Sequence, residues 1–140
     1  RDEHTSRGLG DVYKRPGYYV GRKDHPISEA ENVIFNSNNE VEKIGKINTG
    51  KEEVHGEFIG MIKLSNRGTE IFKQHFHRLK KIYWNKPFQR AKIFQKAYLT
   101  DMIQELVDIG IKVHCVIIER GWKEIDTVED YRKALIDFKR

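Results

Sequence analysis

Few residues in this 140-residue chain are spaced to do chemistry, and the densest group lies near its end: Gly121-Trp122-Lys123-Glu124-Ile125-Asp126-Thr127-Val128-Glu129-Asp130. Asp126 directly precedes Thr127, a helix-capping residue type, and follows an apolar strand pattern; ligands of α/β proteins characteristically bind at such strand-to-helix junctions. Two roles suit a carboxylate there. It can sit favourably against a helix N-terminus, or it can be a hard oxygen ligand for Mg²⁺, an ion usually held by one or two carboxylates together with substrate phosphates. Nucleophilic catalysis has no support. The single cysteine, Cys115, lies inside an apolar run and reads as a small core residue. The six histidines lack metal-site spacing with a cysteine, and His75 and His77, two apart on a predicted helix, point to different faces. Neither common glycine-rich phosphate loop is present.

The charge is unevenly spread. The net +5 comes from 26 bases against 21 acids, yet residues 71–100 hold eight bases and no acid: Lys73, Arg78, Lys80, Lys81, Lys86, Arg90, Lys92 and Lys96. Phe76, Tyr83, Trp84, Phe88 and Phe94 interleave with them, a composition that suits nucleic-acid or polyphosphate contacts. The aromatics keep helical spacing, however, so the favoured reading is a solvated helix face with its rings turned into the core. A basic rim near an anionic substrate fits both.

The elements that must position these residues follow from punctuation and periodicity. Residues 1–17 carry Gly8, Gly10, Pro16 and Gly17 among charges and read as a tether or loop. Short runs rich in β-formers follow at residues 18–20, 32–35, 41–47 and 58–64, the last continuously apolar enough to be a central strand. Asn36-Ser37-Asn38-Asn39 predicts a hairpin turn between the second and third. After Ser65 or Asn66 as cap, Phe72, Phe76, Leu79 and Tyr83 predict a helix to about Trp84. Leu99, Ile103, Leu106 and Val107 predict a second, stopping at Gly110, and residues 111–118 a buried strand. Thr127 then caps a last helix with Tyr131, Ala134, Leu135 and Phe138 on one face. Trp122 is expected to pack against that helix.

The whole is of α/β type and of single-domain length, with 38% apolar residues and a mean hydropathy of -0.70. No apolar stretch approaches the ~20 residues that cross a bilayer. One cysteine forms no intrachain disulfide, so a cytoplasmic location is expected. The chain starts at Arg1, with neither Met nor an apolar leader, and is expected to be a piece of something longer.

Three stretches carry a resemblance. YLTDMIQELVDIGIKVHCVIIERGWKEIDTVEDYRKAL (residues 98–135) resembles the C-terminal end of nucleotidyltransferases that join an NTP to a phosphorylated or phosphonylated small molecule. GRKDHPISEAENVIF (residues 21–35) and GEFIGMIKLSNRG (residues 56–68) narrow this to cytidylyltransferase-like domains. Such domains are appended to phosphoenolpyruvate mutases in phosphonate biosynthesis and are similar to bacterial phosphocholine cytidylyltransferases. The likeness spans roughly residues 18–138, and GWKEIDT is its most distinctive part.

The resemblance implies the C-terminal, acceptor-side portion of a Rossmann-like nucleotidyltransferase fold over residues 18–140, with a mixed sheet flanked by helices. It implies Asp126 as a Mg²⁺ ligand, Lys46 as a phosphate contact before the Asn48-Thr49-Gly50 loop, and Glu57 facing the acceptor's polar or cationic group. It implies CTP or another NTP and a small phosphonate or phosphorylated acceptor as substrates. Family members open with a strand, a glycine-rich nucleotide loop bearing a basic residue and a mid-chain Asp sharing the metal, and this sequence contains none of them. The isolated chain is therefore expected to be inactive, to need an upstream half, and to self-associate through an exposed sheet edge or apolar face. Neither a membrane nor a nucleic-acid partner is expected. The alternatives are a non-catalytic basic module binding RNA or another polyanion, and a regulatory or oligomerisation domain with the same fold.

Overall fold

The computed structural model describes residues 11–13, 30–47, 53–118, 123 and 125–138. Its best-formed local unit is the hairpin of β2 (Asn32–Phe35) and β3 (Val41–Gly45). Asn36 makes the turn: its Oδ1 accepts from the backbone N–H of Asn38 at 2.9 Å and of Glu40 at 3.0 Å. Asn39 takes φ 59°, a left-handed conformation that Asn tolerates better than most residues. The turn-former cluster thus does what its composition predicts.

Three more short strands complete a mixed sheet. β4 (Gly56–Phe58) pairs antiparallel with β2 on one side and with β1 (Asp11–Tyr13) on the other, and β1 pairs parallel with β5 (Val116–Ile118). The order is β3-β2-β4-β1-β5, with β4 at the centre. The fold is mixed α/β, as expected, but several boundaries differ. Within the segment read as a tether or loop, residues 11–13 are a strand, because glycines and charges punctuate the chain without preventing three residues from pairing. The strand expected over 58–64 ends at Phe58; Gly60 takes φ +83° and turns the chain out of the sheet. Apolar continuity there reports partial burial, with Ile59 in the interior and Ile62 against the core, rather than extended pairing. In the run 111–118 only the last three residues form β5. Ahead of them the chain seals the hairpin: the Val41 N–H donates to the Val113 carbonyl and the Cys115 N–H to the Asn39 carbonyl, each at 2.7 Å. The run at 18–20 lies outside the described residues.

The helices begin and stop where local chemistry says. α1 (Asn66–Tyr83) starts at Ser65, whose Oγ accepts from the Gly68 N–H at 3.0 Å. α2 (Leu99–Asp108) receives the Asp101 carboxylate on the Tyr98 N–H at 2.8 Å. It ends at Gly110, φ +88°, with Gly110 N–H donating to the Val107 carbonyl and Ile111 N–H to Leu106, both at 2.9 Å. That pair of bonds is the Schellman closure, which needs a left-handed residue at Gly110. α3 (Val128–Asp137) starts at Thr127 with a reciprocal box: the Asp130 N–H donates to Thr127 Oγ1 and the Thr127 N–H to Asp130 Oδ2, each at 3.1 Å.

α2 joins two apolar clusters. Ile103 packs with Val33, Val41, Ile44 and Phe58 of the sheet and with Val113 and Cys115. Met102 and Leu106 pack with Leu79 of α1 and with Phe88 and Phe94 of the α1–α2 connection. α2 is thus the layer between sheet and α1. The face expected to bury α3 does not do so: Ala134 is buried, but Tyr131, Leu135 and Phe138 are exposed. Helical spacing fixes which residues share a face and says nothing of whether a partner covers it.

Candidate functional site

The sheet registers relate two of the three expected site residues. Gly45, Asn32, Glu57, Tyr13 and Ile118 are in-register partners across the five strands. Glu57 is therefore on the central strand, and Lys46 stands one residue beyond Gly45, two strands away, which is about 10 Å. Paired residues share a face. Val33, Ile44 and Phe58, one position along, pack against α2, so Asn32 and Glu57 project to the other face. Both are buried, and the Asn32 amide donates to the Ile47 carbonyl at 3.4 Å. Lys46 itself is exposed. The Asn48-Thr49-Gly50 loop lies outside the described residues.

Asp126 is reached differently. β3 runs antiparallel to β2, and β5 runs in the same direction as β1 and β2, so the chain leaves β5 toward the sheet end opposite the one where Lys46 leaves β3. Residues 119–122 and 124, which include Trp122, lie outside the described residues. Asp126 is exposed, immediately ahead of α3, and its N–H donates to Asp130 Oδ2 at 3.3 Å. An ion pair between Lys123 and Asp137 ties the preceding run to the helix's last turn. The backbone of Asp126 is thus held by the capping box. A single hard carboxylate fits one ligand of a Mg²⁺ whose other ligands are phosphate oxygens and water. Among the described residues, no three His, Cys, Asp or Glu side chains group to hold a metal by themselves.

A polar network beside Lys46 carries no motif in the sequence. Arg90, from the α1–α2 connection, donates from Nε to Asp101 Oδ1 at 3.0 Å, and from Nη2 to Thr100 Oγ1 at 3.1 Å and Glu31 Oε2 at 3.4 Å. Thr100 Oγ1 also donates to Glu31 Oε2 at 2.8 Å. The guanidinium lies against Gly45, where an added Cβ would stand 2.5 Å from Cζ. Gly45 also has φ +123°, so the backbone demands glycine one residue before Lys46, and a Cβ there would push the guanidinium aside. The only hint in the sequence is the type of Thr100-Asp101 at a helix start; the pairing with a base ten residues upstream is decided by the connection's path.

The remaining chemistry-bearing groups are accounted for. Burial pushes the Cys115 thiol up to about 12, so it stays protonated and unreactive at neutral pH. Glu40 is held below the usual carboxylate range, chiefly by its bond with Lys112 at 2.9 Å and then by Asn36. In the acid-free stretch, Phe88 and Phe94 turn inward as expected and Tyr83 is half-buried, but Trp84 is 48% and Phe76 39% exposed. Lys73 pairs with Glu70, Arg78 with Glu105, and Arg90 with Glu31 and Asp101. Lys80, Lys81, Lys86, Lys92 and Lys96 form no ion pair among the described residues. Among those residues, no helix is long and apolar enough to cross a membrane. Compared with known proteins, the chain matches no family model and no curated protein.

Proposed function

We propose that this chain is the acceptor- and metal-binding portion of a cytidylyltransferase-like nucleotidyltransferase, moving CMP from CTP to a phosphonate or phosphorylated alcohol with release of pyrophosphate. The observation that supports it most is Asp126: an exposed carboxylate on a backbone held by the α3 capping box, inside the run with the most distinctive resemblance. In this reading the mixed sheet is the acceptor-side part of a Rossmann-like nucleotidyltransferase fold, and a further segment supplies the nucleotide loop.

The reaction asks for positioning and charge neutralisation more than for protein nucleophiles. An oxygen of the acceptor phosphate or phosphonate attacks the α-phosphorus of CTP in line, the bond to the β-phosphate oxygen breaks, and pyrophosphate leaves. When bound, Mg²⁺ held by Asp126 and the phosphates neutralises charge on those oxygens. Lys46 contacts phosphate from the end of β3, and Glu57 faces the acceptor's polar or cationic end from the central strand. Gly45 and the Arg90 network hold the backbone from which Lys46 projects.

The test is a pyrophosphate-release assay with CTP, Mg²⁺ and either phosphocholine or 2-aminoethylphosphonate. It is run on the isolated chain and on a polypeptide in which a glycine-rich nucleotide loop precedes it. Only the longer form should turn over, and Asp126→Asn in it should reduce transfer to background while thermal stability is unchanged, because the amide is isosteric but a poorer ligand for a hard cation. Wild-type turnover by that variant overturns the role of Asp126; absence of turnover in the longer form with both acceptors overturns the assignment.

A further inference from the structure

The eight-base stretch separates on folding into two groups. Lys73, Arg78 and Arg90 are absorbed by carboxylates, and Arg90 braces Asp101, Thr100 and Glu31. The five lysines that form no ion pair among the described residues are left with a field that nothing on the same stretch opposes, since residues 71–100 contain no acid. The connection folds back along α1. The Phe94 N–H donates to the Lys86 carbonyl at 2.9 Å, the Asn85 N–H donates to Gln95 Oε1 at 3.1 Å, and the Phe94 ring lies 5.8 Å from Phe76 and 5.2 Å from Phe88. Lys86 and Lys96 are thereby brought alongside the helix that carries Lys80 and Lys81.

Trp84 stands among these lysines rather than in the core. At 100° per residue, His77, Lys80, Lys81 and Trp84 fall on the half of α1 opposite the buried Leu79. The adjoining cluster is filled by Leu79, Phe88, Phe94, Met102 and Leu106 without it. Lys80 Nζ lies 5.2 Å from the centre of the Trp84 ring, a cation held over an exposed π face.

We propose that this basic ridge, the outward face of α1 with residues 84–86 and 94–96, is a docking surface for single-stranded RNA, with Trp84 as the platform on which a base stacks. The proposal is independent of the transferase reading. Its chemistry is that of sequence-tolerant single-strand binders: lysines track the phosphates and an aromatic face takes a base. An anionic bilayer is the poorer fit, because an inserting helix presents a continuous apolar face. Here the single indole is surrounded by Lys and His, and Ile82 lies on another side of the helix.

The test uses the whole chain and a fluorescein-labelled uridine oligonucleotide of about 12 nucleotides, followed by anisotropy across a salt series. Neutralising four phosphates should give a log–log salt slope near about -3, equivalent to roughly fiftyfold weaker binding from ~50 to ~200 mM salt. Lys80→Ala, Lys81→Ala, Lys86→Ala and Lys96→Ala should each reduce the slope by about 0.7. Trp84→Ala should weaken binding about fivefold or more at fixed salt with the slope unchanged, and Trp84→Phe should retain most of the affinity. Lys133→Ala, on α3, should change neither. All these side chains except the half-buried Lys133 are exposed, and far-UV circular dichroism checks that each variant is folded. No binding at ~50 mM salt overturns the proposal, as does tighter binding to phosphatidylserine vesicles or to an oligoglutamate peptide than to RNA. Indifference of the affinity to Trp84→Ala also overturns it, since the surface would then be a plain charge patch.

Discussion

α2 and α3 have the same length, 10 residues each, and comparable N-terminal chemistry, yet they occupy opposite extremes of burial. α2 places Thr100, Asp101, Met102, Ile103 and Leu106 in the interior, whereas α3 buries Asp130 and Ala134 and leaves Val128, Tyr131, Leu135, Ile136 and Phe138 exposed. The difference lies in tertiary partners. α2 is flanked by apolar clusters on two sides. It also ties down the edge strand: the Ile44 N–H donates to Gln104 Oε1 at 2.8 Å, and Gln104 Nε2 donates to the Glu42 carbonyl at 3.3 Å. The β3 edge of the sheet is thereby covered, so among the described residues β5, at the other end of the strand order, and the exposed α3 face are the surfaces that bear on the expected self-association. The region that makes the fold and the region that carries the candidate metal ligand are distinct, so stability and chemistry should respond to different substitutions.

Truncation in the inter-cluster helix should have the largest effect. Ile103→Ala removes a fully buried side chain from between sheet and helix and should cost about 2–5 kcal/mol, read as a shift of the urea midpoint. A loss below about 1 kcal/mol would show that α2 is no better anchored than α3.

Arg90→Ala should come next. It leaves Asp101, 1% exposed, with its Tyr98 bond alone and Glu31 with Thr100, and losses of charged hydrogen bonds run about 1.5–3 kcal/mol. Since the guanidinium also packs on Gly45, Arg90→Lys should recover only part of the loss. Full recovery by lysine would mean that charge alone, without the planar fork, holds the connection.

The buried thiol gives a pH-dependent version of the same comparison. The folded state holds Cys115 protonated up to about 12 against an ordinary 9.0, so above 9.0 the unfolded chain binds fewer protons than the native one and stability falls with rising pH. The wild-type urea midpoint should therefore decline more steeply than that of Cys115→Ala above that pH. Iodoacetamide at neutral pH should label the thiol only after denaturant is added. Rapid labelling of native protein would place Cys115 in an open region.

The smallest effect is expected on α3. Leu135→Ala and Tyr131→Ala should each change stability by no more than about 0.5 kcal/mol, as surface positions do. Sedimentation of these variants adds a second readout: dispersal of a wild-type oligomer by either would identify the α3 face as the contact, and an unchanged oligomer would direct attention to β5.

Much of the local structure was legible in residue types. The Asn36-Ser37-Asn38-Asn39 turn, the Ser65 and Thr127 caps and the stop at Gly110 all depend on interactions within a few residues, which the chain carries wherever it goes. The position of Asp126 at the start of a helix is of the same kind. What residue types could not decide is which surfaces meet. Arg90 reaches Glu31 across 59 positions, Ile44 reaches Gln104 across 60 and Thr100 reaches Glu31 across 69. Nothing in the spacing of those pairs announces them, because their proximity comes from the path of the backbone. The same holds for the apolar residues at 58–64 and 131–138: alike in composition to buried segments, they differ in burial, since Phe58 and Ile62 lie in or against the sheet's core cluster while Tyr131, Leu135 and Phe138 are exposed. Sequence alone determined the α/β class, the charge-rich helix and the local stops. Tertiary structure decided that β1 enters the sheet, that Glu57 lies on its central strand, that Trp84 faces solvent and that α3 offers its apolar face outward, since each of these depends on long-range packing that hydrophobic burial selects for the chain as a whole.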